Sequence, residues 1–411
     1  MLKNYLKLAY KVLLRQKFFT FVSLFGISIT LTILFVVAAM TDTALSPGGR
    51  GSKLDRSLFI DRIELIGKDM HMSSLPSYYL LDRYVRTLKT PQTVSILSET
   101  KSTAVYVGGH KLLLDLKYTD AEFWDIVEFH FIEGGPYDTT AVDNADAVAV
   151  ITDRTRDDVF GSGPVVGQYI ETTSGSFRVV GVVPKDEMPG EAVYADIWVP
   201  ITQSRQTITR TEPYGAQKAI VLPARDADKP AIKREFEQHL GVVRTDLAGK
   251  WDSVAVSMAS PLELAARAFT SEGPGGVTAA VAIFIGMAVL FMLLPAMNLV
   301  NMNVSRIFER SSEIGVRKAF GASVSALVWQ FIVENVVLTL VGGAIAVVLS
   351  LIALDILNSS GVMPFAQFKL NWHVLFYSLV LSVFFGVFSG VLPAYRMSRL
   401  HPVEALRGVT T

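Results

Sequence analysis

Glu309-Arg310-Ser311-Ser312-Glu313-Ile314-Gly315-Val316-Arg317-Lys318-Ala319-Phe320-Gly321 is a charged, glycine-punctuated stretch set between two long apolar runs. A short polar segment in that position reads as a turn exposed on one face of a membrane. Counting Arg306 it carries four basic residues, and basic residues mark the cytoplasmic ends of spanning segments. Working outward from it, the predicted fold class is a membrane protein. Four transmembrane α-helices carry a large α+β extracytoplasmic domain between the first and second helices.

Composition agrees. Half of the 411 residues are hydrophobic and 18% are charged, and the formal net charge of zero hides a segregation. Between Asp42 and Gly275 there are 25 Lys/Arg against 33 Asp/Glu, whereas the remainder holds 13 against 5. One soluble globule has no reason to sort its charges this way; a chain whose spanning helices are flanked by inner basic residues does. The chain has no cysteine, which excludes disulfides, thiolate metal sites and cysteine nucleophiles.

Residues 1–17 interleave Lys3, Lys7, Lys11, Arg15 and Lys17 with Leu2, Leu6, Leu13 and Leu14, a pattern that predicts a cytoplasmic amphipathic helix lying on the inner surface. The first span, 18–41, is uncharged for 24 residues, enough to cross a hydrocarbon core of about 30 Å at about 1.5 Å per residue. The run is longer than a signal-peptide core and no small-x-small cleavage site follows it, which favours a retained anchor. The extracytoplasmic domain is assigned to 42–272. A second span with an outer stalk follows at 273–305, with Pro295 and Asn298 inside it. Then come the inner loop 306–322, a third span at 323–354, a short outer loop at 355–369 and a fourth span at 370–395. The cytoplasmic tail, 396–411, carries Arg396, Arg399 and Arg407, whereas Lys369 is the one basic residue of the outer loop.

Within the outer domain, Val105–Val107, Gly108-Gly109 and His110–Leu116 predict a hairpin closed by a two-glycine turn. Val148–Ile151, Phe177–Val183, Ile197–Val199 and Ala219–Leu222 read as strands. Helices are predicted at Ser77–Lys89, with Leu80, Leu81, Tyr84, Val85 and Leu88 on one face, at Lys229–Leu240, and at Leu262–Ala268. Ser46–Ser52 reads as a flexible exit from the first span.

Catalytic patterns are absent. There is no Gly-x-x-x-x-Gly-Lys-Ser/Thr phosphate loop, no Gly-x-Ser-x-Gly elbow and no His-Glu-x-x-His pair, and the six histidines have no ligand spacing. No catalytic, cofactor-binding or metal residue is therefore assigned. Asp153, Asp157, Asp158, Asp186 and Glu187 form an acidic group that reads as a solvated face, with cation binding as the alternative. Glu334 lies inside the third apolar run. A carboxylate at the bilayer centre costs about 3 kcal/mol on insertion scales. It reads either as an interfacial residue paired with a base such as Arg306 or Arg317, or as a proton or substrate group in a pathway. Gly386 and Gly390, and Gly26 with Thr30, have the small-x-x-x-small spacing that lets helices approach closely.

These residues resemble permeases of the MacB/FtsX family, the type VII ABC transporters or mechanotransmitters. Glu313-Ile314-Gly315-Val316-Arg317-Lys318-Ala319-Phe320-Gly321-Ala322 is close to the family's inner loop REIGIRKALGA, with Ser312 in place of the usual arginine. Leu392–Leu400 followed by Pro402–Arg407 is similar to its C-terminal PAxRASRLxPxEALR. Phe160-Gly161, Val166-Gly167-Gln168 and Phe177–Val183 resemble its periplasmic core domain. The similarity runs over essentially the whole chain.

The resemblance implies a multi-pass subunit of the bacterial cytoplasmic (inner) membrane, paired with a second, identical or related, permease subunit. It also implies a cytoplasmic ABC ATPase partner, which holds the ATP and Mg; no cofactor is expected in this chain, and no nucleic acid. A periplasmic adaptor is the further partner considered. The inner loop would act as a coupling helix through Glu309, Arg310, Glu313, Ile314, Gly315, Arg317, Lys318, Phe320 and Gly321. Its charges alternate in sign at helical spacing, Ile314, Val316 and Phe320 offer an apolar anchor, and Gly321 can end the helix. The expected function is export or extraction of a hydrophobic molecule, peptide or lipoprotein, driven by motion passed to the outer domain. The alternative is a signalling scaffold that regulates a cell-wall hydrolase or a sensor kinase.

Overall fold

A computed structural model describes residues 14–45, 52–270 and 275–287 with a few breaks, residues 323–360, and isolated positions between 289 and 387. The chain divides into two units, one centred on residues 43–277 and one formed by the segments on either side of it.

The central unit is built on a mixed sheet of 13 strands. In chain order these are β1 Leu58–Ile66, β2 His71–Pro76, β3 Thr93–Ser98, β4 Lys101–Val107, β5 His110–Thr119, β6 Glu133–Gly134 and β7 Val148–Thr152. They continue with β8 Tyr169–Thr172, β9 Gly175–Val183, β10 Ile197–Pro200, β11 Tyr214–Gly215, β12 Gln217–Leu222 and β13 Ser253–Ala259. The order is β10-β7-β9-β8-β4-β5-β3-β12-β1-β2-β11, with β13 on β1 and β6 on β9. The β7–β9 and β5–β10 pairs are parallel and all other pairings are antiparallel. Because β10 pairs with both β7 and β5, six strands close a hydrogen-bonded circuit, which removes the free edge of β10. Trp198, on β10, is fully buried, with its indole N–H donating to the Val193 carbonyl at 3.1 Å. Phe123, Trp124 and Phe129 pack in the same core.

The predicted hairpin is present. Gly108 and Gly109 have φ of 56° and 83°, and a two-residue turn that matches the twist of its strands needs positive φ at both positions. The four predicted strands are β7, β9, β10 and β12. The helix expected from Ser77 is shorter: Tyr78–Leu80 runs into a wide, π-type turn at Leu81–Val85. Its apolar face is buried as read, and the Ser77 hydroxyl caps it by accepting from Leu80 N–H at 3.1 Å. Helix Lys229–Asp246 extends six residues past the predicted Leu240 and buries Ile232, Phe236, Leu240 and Val243. The third predicted helix is Pro261–Arg267.

In the other unit, α1 spans Lys17–Leu45 and α2 spans Val324–Ser359. Among the described residues these two are long and apolar enough to cross a membrane. Of the second expected span, Gly276–Met287 is an apolar helix. Most of the rest of it and most of the fourth lie outside the described residues, as do residues 1–13 and the tail.

The two helices touch along one face of each. Ile27, Leu31 and Phe35 of α1 bury against Ala346 of α2. The Thr32 hydroxyl reaches across to the Ala346 carbonyl at 3.4 Å. Close approach is possible because Gly342 and Gly343 have no side chain: a Cβ on Gly342 would lie 2.7 Å from the Ile27 side chain, and one on Gly343 would lie 2.8 Å from Leu379. In lipid, where helix association depends on packing, such contacts specify the pair. Gly342→Val should therefore loosen it by about 1–3 kcal/mol, the usual cost of overpacking. Thermal unfolding of the detergent-solubilised chain measures this, and Ile27→Ala in the same chain should restore most of the loss. A Gly342→Val protein that melts with the wild type would refute the contact.

Candidate functional site

Ser323 opens α2: its hydroxyl accepts from Ala326 N–H at 3.2 Å. Just before it, Phe320 N–H donates to the Val316 carbonyl at 3.1 Å, a helical i→i−4 bond within the charged segment. Val316 and Phe320 are 46% and 88% exposed. An uncovered phenylalanine gives up the 1.5–3 kcal/mol or so that its burial would contribute. Glu309, Arg310, Glu313, Ile314, Gly315, Arg317, Lys318 and Gly321 lie outside the described residues.

Glu334 is buried, as are Gln330, Asn335 and Thr339 along α2. The Gln330 side-chain amide donates to the Glu334 carboxylate at 2.9 Å, and the Thr339 hydroxyl donates to the Asn335 carbonyl at 2.9 Å. The partners expected for Glu334, Arg306 and Arg317, lie outside the described residues. In the sequence Glu334 stands out because it is the one charged residue in the apolar run 323–354. Gln330, four residues earlier, lies on the same helix face as Glu334, and i, i+4 spacing would have found it; Asn335 and Thr339 form a second pair on a different face of the helix. Of the packing glycines, Gly26 is half-buried on α1, and Gly386 and Gly390 lie outside the described residues. Gly342 with Ala346 has the same small-x-x-x-small spacing, so the signal for this contact is present in the sequence.

On the outer unit, Asp153, Asp157 and Asp158 of the acidic group are engaged locally. Asp153 accepts from Arg154 N–H at 2.7 Å and Lys185 N–H at 2.9 Å, Asp157 pairs with Arg156 at 2.9 Å, and Asp158 pairs with Arg154 at 3.7 Å. Asp186 and Glu187 lie outside the described residues. A more consequential carboxylate is Asp120, 2% exposed at the end of β5. It accepts from Ser95 Oγ and Ile96 N–H at 2.7 Å and from Phe123 N–H at 3.2 Å, and it pairs with Arg86 at 2.8 Å. Burial pushes its carboxyl up to about 6, against the opposing pull of the Arg86 guanidinium.

Residues 20–239, which contain most of α1, strands β1–β12 and the first part of the long helix, match the MacB-like periplasmic core domain family; residues 285–402, which contain the charged segment 306–322 and α2, match the FtsX-like permease C-terminal family. The chain belongs to the MacB/FtsX family of ABC-type permeases. Among MacB/FtsX relatives it is 26% identical over 312 residues to the macrolide export ATP-binding/permease protein MacB of Salmonella choleraesuis, covering 75% of this chain and 46% of that one. It is 28% identical to the pyoverdine export ATP-binding/permease protein PvdT of Pseudomonas syringae, covering 73% and 42%. It is 24% identical to the ABC transporter permease YvrN of Bacillus subtilis, covering 70% and 68%. The chain thus spans about half the length of the curated exporters it matches. Among solved structures, the periplasmic region of MacB from Actinobacillus actinomycetemcomitans aligns with a TM-score of 0.39 at 14% identity, covering 53% of this chain and 95% of that one.

Proposed function

We propose that this chain is the permease part of an ATP-driven transporter of the mechanotransmission type, coupled to an ABC ATPase on a separate cytoplasmic subunit that binds the ATP and Mg. Two permease subunits, identical or related, form the working unit in the inner membrane, each crossing it four times with the large unit outside. The inner helix at 306–322 docks on the ATPase, and nucleotide-driven motion passes through the spans to the outer unit. That unit expels or extracts a hydrophobic molecule, a peptide or a lipoprotein; the printed names of MacB and PvdT make export the first class to test.

One observation carries the reading: the two family matches occur in order on one chain, and the charged segment lies within the FtsX-like match. The exposed Phe320, one turn from Val316, supplies an apolar contact to complement those charges. These 411 residues contain no Gly-x-x-x-x-Gly-Lys-Ser/Thr phosphate loop, which supports an ATPase outside them.

The purified chain should show no ATPase activity, and purification from its host should bring a cytoplasmic ATPase with it. Glu313→Lys combined with Arg317→Glu and Lys318→Glu should lower permease-stimulated ATP turnover about tenfold or more, because charge-assisted contacts are worth about 1.5–3 kcal/mol each. The variant's melting temperature should stay where it was. Turnover unaltered by the reversal would remove the coupling role.

A further inference from the structure

The outer unit contains a cavity of about 450 Å³ that none of the preceding roles uses. This falls within the range of about 300–1,000 Å³ typical of small-ligand sites. Its walls come from three places: the turn from β3 into β4, the approach to β11 and β12, and the segment after β10. The first two are tied together by Glu99 N–H donating to the Ala216 carbonyl at 2.7 Å. Tyr118 and Tyr214 line it, with several serine and threonine hydroxyls.

Most of those hydroxyls already serve the fold. Ser98 Oγ donates to the Glu99 carbonyl and accepts from Tyr118 N–H, and Ser77 Oγ caps its helix. Four groups in the lining are not committed. Lys101, Arg210 and Glu99 are exposed and make no ion pair or side-chain hydrogen bond among the described residues. Gln217 is only 4% exposed, yet just one end of its amide is used. Its Oε1 accepts from Tyr78 N–H at 3.1 Å and Ala216 N–H at 3.2 Å, and Gly215 leaves room for that, since a Cβ there would sit 2.8 Å from the same oxygen. Pinning the oxygen to main chain fixes the orientation of the amide, so that Nε2 is its free end in the cavity wall. Two unpaired cations, a buried amide donor and one unpaired carboxylate at the rim leave a charge pattern that a ligand of opposite pattern would complete.

We propose that this cavity binds a small zwitterion carrying a free carboxylate, an amino acid or short peptide, independently of whether an ATPase drives the chain. Arg210, Lys101 and Gln217 Nε2 take the carboxylate, whose two acceptor oxygens suit a fork of N–H donors. Glu99 takes the ammonium. A multiply charged anion such as inorganic phosphate is disfavoured, because Glu99 would face it with like charge.

Isothermal titration of the detergent-solubilised full chain tests this with four probes: the dipeptide Ala-Ala, its C-terminal amide, N-acetyl-Ala-Ala and inorganic phosphate. Ala-Ala should bind, and the amide and the acetylated form should each bind about tenfold more weakly, as expected for losing one charged hydrogen-bonding group. Arg210→Glu should weaken Ala-Ala binding by about the same factor. Gln217→Glu should do likewise, since it keeps the oxygen that Tyr78 and Ala216 use and replaces the donor with a negative oxygen. Glu99→Gln should weaken Ala-Ala but leave N-acetyl-Ala-Ala unchanged. If Gln217→Glu does not fold, the two rim variants still decide the matter. No binding of Ala-Ala, phosphate binding as tight as Ala-Ala, or Arg210→Glu binding like the wild type would each overturn the proposal.

Discussion

Replacing Arg86 with Met should destabilise the outer unit by about 3–5 kcal/mol at neutral pH, the cost of leaving one member of a buried ion pair without its partner. Asp120 is 2% exposed and its carboxylate is 2.8 Å from the Arg86 guanidinium, which also lies 3.0 Å from Asp82 and 3.4 Å from Glu122. Ser95, Ile96 and Phe123 would still donate to Asp120, but neutral donors do not cancel its charge. The pH dependence gives the test its sign. Burial holds the Asp120 carboxyl near 6, above its ordinary 3.8, so its contribution to stability is full below 3.8 and is lost as pH rises through about 6. Without Arg86 the carboxyl should titrate higher still. The Arg86→Met penalty should therefore shrink when the pH falls from about 7 to about 5, as Asp120 takes up a proton on folding. Adding Asp120→Asn should recover most of the loss at neutral pH. Thermal unfolding of the full chain at both pH values reads all three; a penalty that ignores pH and survives Asp120→Asn would mean that Arg86 acts through packing alone.

Gly181→Ala should cost about 3 kcal/mol or more, at the upper end of overpacking effects, because the added atom meets main chain and not a movable side-chain tip. Its Cβ would lie 2.4 Å from the Gly135 carbonyl oxygen and 2.8 Å from the Phe131 ring. The opposing Gly134 is equally constrained: its φ is 63°, and a Cβ there would be 2.0 Å from the Val180 carbonyl oxygen. The two glycines let β6 seat on β9 next to the register shift where β9 pairs with β7. Gly163 provides the control, since a Cβ there meets nothing within 4 Å and its φ is not in the left-handed region. Gly163→Ala should stay within about 0.5 kcal/mol of wild type. Equal melting temperatures for the two variants would show that the β6–β9 approach can relax.

What could be read before the structure was local. The Gly108-Gly109 hairpin depends on two adjacent residues that tolerate positive φ, and the buried face at Leu80, Leu81, Tyr84, Val85 and Leu88 depends on spacing within a few turns. Strand β1 escaped notice although it pairs with β12, β13 and β2. Its Leu58–Ile66 stretch carries Asp61, Arg62 and Glu64, which blur the alternation expected of a sheet strand. Asp61 is tolerated there because Arg267, 206 residues away, pairs with it at 2.8 Å.

By itself the sequence determined the apolar runs, the charge segregation around them, the hairpin and the family motifs, because hydrophobic length, charge sign and turn chemistry are properties of contiguous residues. The tertiary structure alone decided the rest. Arg86 meets Asp120, Gly342 meets Ile27, Gly181 meets Gly135, and Glu99, Arg210 and Gln217 share one cavity. Each of these depends on how distant segments are brought to within a few ångströms, where one methyl group or one unpaired charge changes the energy by more than any local propensity does.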